Sequence, residues 1–128
     1  MVKKLFFISL IWGVLIFILS SIPGDSLPAQ PKIPHFDKIV HAGLYFLLAS
    51  FIMPVIDSSG KWFFHKFSFL IVLFISALYG GFIEIAQEHW FINRSGDIKD
   101  FISDLAGCIL GIAFYYLITK RILKIPGP

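Results

Sequence analysis

The sequence predicts an all-α fold: an integral membrane four-helix bundle with short loops. Three observations carry the prediction. The chain is 57% hydrophobic and only 15% charged over 128 residues, against about 45–50% and about 25% in soluble domains. Its apolar residues gather into four runs of membrane-crossing length. None of these runs alternates with the period of two that a membrane barrel requires, and in lipid only helices then remain.

The first expected span is 5–22, uncharged, set between Lys3-Lys4 and Pro23-Gly24. A bilayer core takes roughly 17–25 apolar residues. The rival reading is a signal peptide, but its apolar stretch is about 7–15 residues and ends in an A-x-A-like site. This run is longer, and Leu27-Pro28-Ala29 is a poor exit, so a retained span is expected. The second span is 39–56, with His41 near its start and Pro54 near its end. The third is 67–86, with Glu84 near its end, and the fourth is 101–118, with Asp104 near its start.

Pro23 to Phe36 reads as an irregular, proline-rich loop, Asp57 to Lys66 as a polar turn around Ser58-Ser59-Gly60, and Glu88 to Asp100 as a third loop turning at Asn93-Arg94-Ser95-Gly96. No repeat or second domain is visible, so 1–128 reads as a single transmembrane domain. The one cysteine, Cys108, excludes a disulfide framework. The net charge of +3 forms no basic stripe, so nucleic acid is not an expected partner, whereas a bilayer with anionic lipids is.

Lys and Arg counts set the expected orientation. Lys3, Lys4, Lys61, Lys66, Lys120, Arg121 and Lys124 share one side, seven in all, against four (Lys32, Lys38, Arg94 and Lys99) on the other. Both termini are therefore expected in the cytoplasm.

In that topology the polar residues gather at the outer end. Asp37, Lys38, His41 and Tyr45 open the second span. Glu84, Gln87, Glu88 and His89 close the third. Arg94, Asp97, Asp100 and Asp104 lead into the fourth, and the inner halves read as almost purely apolar. On a helix reaching back that far, Asp97, Asp100 and Asp104 fall within about 60° of one another. Ionisable groups in a span cost about 2.5–3.5 kcal/mol each on insertion scales, so they should face inward and meet.

Simpler roles stand beside this. Asp97 suits an N-cap, and Asp100 suits the positive end of the fourth helix. Lys38, Glu88 and Lys99 suit interfacial charges, and His89-Trp90 an aromatic belt. A salt bridge to Arg94 or His41 would account for Glu84 and Asp104. Ser103, Gly107 and Gly111 form a small-residue stripe, with Ser76 and Gly80 as its expected counterpart on the third helix.

The ordered set Leu19-Ser20-Ser21-Ile22-Pro23-Gly24, Asp37-Lys38-Ile39-Val40-His41, Tyr79-Gly80, Glu84 to Gln87 and Arg94-Ser95-Gly96-Asp97-Ile98-Lys99-Asp100, with Gly107 and Gly111 behind, resembles the VanZ-like family. These are small bacterial membrane proteins related to a teicoplanin-resistance accessory. The resemblance covers Leu19 to Gly111 and carries the family pattern onto Asp37, Lys38, His41, Glu84, Gln87, Arg94, Asp97 and Asp100. Asn93 replaces the usual glycine, and Asp104 a frequent asparagine. The resemblance implies a multi-pass protein of the bacterial cytoplasmic membrane, an envelope role and, in some members, low-level glycopeptide tolerance. It implies no reaction.

Three readings follow. The favoured one is a binding module: an outward polar pocket of these residues and Asp104, holding a lipid headgroup or a cell-wall precursor part. Arg94 would offer its fork to an anion and the acids would meet amines or hydroxyls; no cofactor is expected. The second is an intramembrane enzyme, with His41, Glu84, Asp97, Asp100 and Asp104 around a divalent metal acting on a lipid phosphoester. The third is a structural or assembly protein. The sequence leaves catalytic residues and metal ligands unassigned.

Overall fold

In lipid a backbone must satisfy its own hydrogen bonds, and the helices of the computed structural model accordingly run past the apolar runs into their polar flanks. α1 spans Val2–Ser21, α2 Phe36–Asp57, the short α3 Trp62–Lys66, α4 Ser68–His89 and α5 Ile98–Phe114. A π-turn, Tyr115–Thr119, carries α5 on into Lys120–Ile122. The structure describes residues 2–27, 29 and 31–122; Pro28, in the first loop, and Lys124, in the C-terminal basic trio, lie outside the described residues. There are four helices long and apolar enough to cross a membrane, and no strand among the described residues. Asp37, Lys38, Glu88, His89 and Asp100 are all helical, which fixes their faces.

Local chemistry sets the ends. α1 stops before Pro23 and a single 3₁₀ turn, Gly24–Ser26. α2 is entered from His35 in the left-handed region, φ 56°. α5 is capped by Asp97, whose side chain accepts the Lys99 N–H at 2.8 Å, the N-cap geometry its position suggests. Asp97 therefore stands just outside the helix that carries Asp100 and Asp104. The second loop is a correction: Trp62–Lys66 forms α3, so only Ser58 to Lys61 turns.

α2 is the central helix and packs against α1, α4 and, most extensively, α5. Apolar burial does not drive helices together in lipid, so close approach at small residues matters more. A Cβ on Gly107 would fall on the Ala42 carbonyl, and one on Gly111 on the Phe46 carbonyl. This corrects the expected partner of the stripe: Gly107 and Gly111 face α2, not Ser76 and Gly80 of α4. Ser103 bonds within its own helix, Oγ to the Lys99 carbonyl at 2.8 Å.

Below the polar end, Ala49, Met53, Val72, Cys108, Ile112 and Tyr115 form one buried cluster. α1 joins through Ile16, which packs with Tyr45 and Leu48. Two polar pins hold it: Trp12 Nε1 donates to the Leu44 carbonyl at 2.9 Å, and the Tyr79 hydroxyl to the Gly13 carbonyl at 2.5 Å.

The sequence places Asp57 in a polar turn and leaves this half of the bundle apolar; the structure corrects both. Asp57 ends α2 and is buried. Its Oδ2 accepts from the Tyr115 hydroxyl at 2.6 Å and from Lys120 Nζ at 2.8 Å, and its Oδ1 lies 3.1 Å from His65 Nδ1. Lys120 also brings a cation to the negative C-terminus of α2. The π-turn places Tyr115 in this cluster, while Tyr116 reaches Ser68 Oγ at 2.8 Å.

Candidate functional site

The site is assembled from the first turns of α2 and α5, the last turns of α4 and α1, and the loop between α4 and α5. Lys38 organises its upper part. Its ammonium lies 2.7 Å from Asp37, 2.8 Å from Asp97 and 2.6 Å from Asp100. The interfacial role that the sequence allows Lys38 is corrected by this geometry: the side chain keeps only 19% exposure and bridges α2 to the start of α5. The nearby ammonium, helped by the Lys99 N–H, holds Asp97 below the ordinary carboxylate range.

One turn further along α2, His41 Nδ1 sits 3.0 Å from Asp104 Oδ1, and Nε2 lies 3.8 Å from Asp100 Oδ2. Asp104 is completely buried. Gly80 makes room for it, since a Cβ there would stand 3.1 Å from Asp104 Oδ2 and 3.4 Å from the Tyr45 hydroxyl. The aspartates thus divide between two partners: Asp37, Asp97 and Asp100 surround Lys38, whereas Asp104 belongs with His41.

Glu84 reaches in from α4. Its Oε2 accepts the Asp97 N–H at 2.8 Å, and Glu88 Oε2, one turn on, accepts the Gly96 N–H at 2.9 Å. Glu88 is therefore a loop anchor rather than a free interfacial charge. The loop must come close for this, and Gly96 allows it: a Cβ would lie 2.7 Å from the Glu84 carbonyl. His41, Glu84 and Asp104 each offer one metal-ligating atom, and these atoms lie within 4.8 Å of one another.

Arg94 pairs with neither Glu84 nor Asp104. Its Nε donates to the Ser20 carbonyl at 3.2 Å and its Nη2 to the Leu19 carbonyl at 3.3 Å. Gln87 Nε2 shares the Ser20 carbonyl at 3.2 Å. Both side chains satisfy carbonyls that the end of α1 leaves without helical partners. The first and third loops are further joined by Gly24 N–H to the Ile92 carbonyl at 3.4 Å, and by Asn93 donating to Asp25. Ile92, Asn93 and Arg94 thus dock the third loop on the end of α1 and the start of the first loop.

These elements enclose a cavity of about 440 Å³. Asp37, Lys38, His41, Gln87, Arg94, Asp97 and Asp100 supply polar groups to its lining, and Ile16, Leu19, Leu44, Tyr45 and Ile83 mainly apolar surface. Glu84 and Asp104 stand behind that lining. Five carboxyl groups (Asp37, Glu84, Asp97, Asp100 and Asp104) stand in or behind the lining, three of them gathered on Lys38, whereas Arg94 holds only backbone carbonyls. Such a chamber attracts cations and hydrogen-bond donors more than bare anions.

Sequence reasoning misses the Asp57 cluster entirely. Its only signal is a lone acid among the basic flanks at that end, and its partners come from two separate segments, α3 and the far end of α5. A family model described as VanZ/LLP1 matches residues 5–119. No curated protein and no solved structure matches the chain.

Proposed function

The chain belongs to the VanZ-like family, and from that premise we propose that it is a membrane-embedded binding protein of the cell envelope. Its pocket takes a lipid headgroup or part of a cell-wall precursor, and that contact contributes to glycopeptide (teicoplanin) tolerance. The observation that carries the reading is the cavity of about 440 Å³, lined by polar and apolar surface together. An amphiphile places its headgroup and first methylenes against such a pair of surfaces. The surplus of acids favours a headgroup bearing amines or hydroxyls, while Arg94 offers the remaining donors of its fork to an acidic group.

The test pairs two measurements on Arg94→Lys and Asp100→Asn. Lysine keeps the charge but loses the planar fork, and asparagine keeps the volume of the acid. Lipid co-purified with each variant and teicoplanin tolerance of expressing cells should both fall several-fold, while the melting temperature changes little. Full tolerance and unchanged lipid content in stable variants would end this reading. Losses that merely track the melting temperature would assign both residues to the scaffold.

Under the same reading the pocket faces outward and both termini are cytoplasmic. The basic residues favour this, with Lys3, Lys4, Lys61, Lys66, Lys120 and Arg121 on the inner side. Single cysteines at Ser26 and Ser95, in a Cys108→Ala background, should react with an impermeant thiol reagent on intact cells. A cysteine at Ser59 should not. All three positions are exposed on the protein, so labelling at Ser59 alone would invert the orientation.

A further inference from the structure

Behind the pocket lies a set of groups that the hydrogen-bond network leaves incomplete. Asp104 Oδ2 and Glu84 Oε1 are buried acceptors without a hydrogen-bond partner, and the Tyr45 hydroxyl is likewise unpartnered. A buried polar atom left unpaired is costly, and here two carboxylate oxygens from different helices are left so together. The third member, His41, comes from a further helix. The geometry points to a divalent transition-metal site formed by His41, Glu84 and Asp104.

Four features support it. The three ligand atoms lie within 4.8 Å of one another, so a small closure would bring them onto one ion. The 3.0 Å hydrogen bond between His41 Nδ1 and Asp104 Oδ1 is a few tenths of an ångström shorter than the about 3.3–3.6 Å that separates tetrahedral ligands held about 2.0–2.2 Å from one zinc, so an ion would replace the shared proton with little movement. With Nδ1 as the ligand, Nε2 faces Asp100 Oδ2 at 3.8 Å. This approaches the carboxylate–histidine–metal arrangement that orients an imidazole, and Lys38 holds that carboxylate in place. Gly80 lets Asp104 Oδ2 and the Tyr45 hydroxyl come up against the backbone of α4, where a Cβ would crowd them.

The donor set also selects the ion. One imidazole with two carboxylates suits Zn²⁺ or Mn²⁺ better than Ca²⁺ or Mg²⁺, which prefer all-oxygen shells. An ion with three protein ligands keeps a coordination position open, and one of the three ligands, His41, also lines the pocket. The charge of the ion would also offset part of the surplus of carboxylates.

The experiment strips the purified full chain with a chelator, reloads it with Zn²⁺ or Mn²⁺, removes excess and counts metal per chain. About one ion per chain is expected for the wild type, with a higher melting temperature because the metal binds the folded state. Glu84→Gln and Asp104→Asn preserve shape and should weaken binding about tenfold or more. His89→Gln, exposed on the last turn of α4 and outside the triad, should keep it. A wild-type protein that retains no metal and shows no thermal shift overturns the site. So does metal retained equally by both triad variants. Neither result bears on the co-purified lipid measurement, so this site and the binding reading fail separately.

Discussion

Gly107→Leu should abolish the native contact between α2 and α5 and leave little folded protein in detergent. The two backbones meet where Gly107 has no side chain: a Cβ would fall on the Ala42 carbonyl. Overpacking in a well-packed core costs about 1–3 kcal/mol and occasionally more. Here the obstacle is backbone rather than a side chain that can turn aside, so about 3 kcal/mol or more is expected. The same contact positions Asp100 and Asp104 of α5 against Lys38 and His41 of α2. Any protein that survives should therefore lose the proposed headgroup and metal binding together. Ala113→Leu lies on an exposed face of the same helix and should be tolerated. Equal melting temperatures for the two variants would refute the close approach.

Asp57→Ala should destabilise the opposite end of the bundle without altering the pocket. It removes the acceptor of Tyr115 and Lys120 and the neighbour of His65. Removing one member of a fully buried charge pair costs about 3–5 kcal/mol. Lys120 keeps 21% of its side chain exposed and can turn toward water, which lowers the expectation to about 2–4 kcal/mol. Asp57→Asn retains an acceptor for the Tyr115 hydroxyl and loses only the charge, so it should fall between Asp57→Ala and wild type. Thermal unfolding of the three proteins gives the order directly. A wild-type melting temperature for Asp57→Ala would mean that Asp57 is solvated. A change in co-purified lipid without one in stability would mean that the two ends of the bundle are coupled.

Much of the candidate site was legible because lipid restricts where ionisable groups can go. Glu84 and Asp104 interrupt apolar runs, and their insertion cost alone argues that they face inward. Helical periodicity then places His41 one turn from Lys38's neighbour Asp37, and Gln87 on the face of Glu84. The N-cap role of Asp97 is local and depends only on the residues that follow it, so it too can be read from the chain.

What the sequence by itself determined is the class of fold: four long apolar helices, their order, and the end of the bundle at which most polar residues collect. These follow from run length and from the requirement that a backbone in lipid satisfy its own hydrogen bonds. Only the tertiary structure decided who partners whom. Gly107 and Gly111 mark a close approach, but a stripe of small residues carries no address, and the helix it meets is α2 rather than α4. Arg94 suits a carboxylate by charge, yet it holds the carbonyls of Leu19 and Ser20, because the nearby end of α1 exposes acceptors that no side-chain pattern reveals. Lys38 reads as an interfacial charge until Asp97 and Asp100 are brought across to it. Asp57 reads as a polar turn until His65 arrives from α3 and Tyr115 and Lys120 from the far end of α5. In each case the deciding quantity is a distance between helices, and a single chain read in order contains periodicity along each helix but not the angle or register between them.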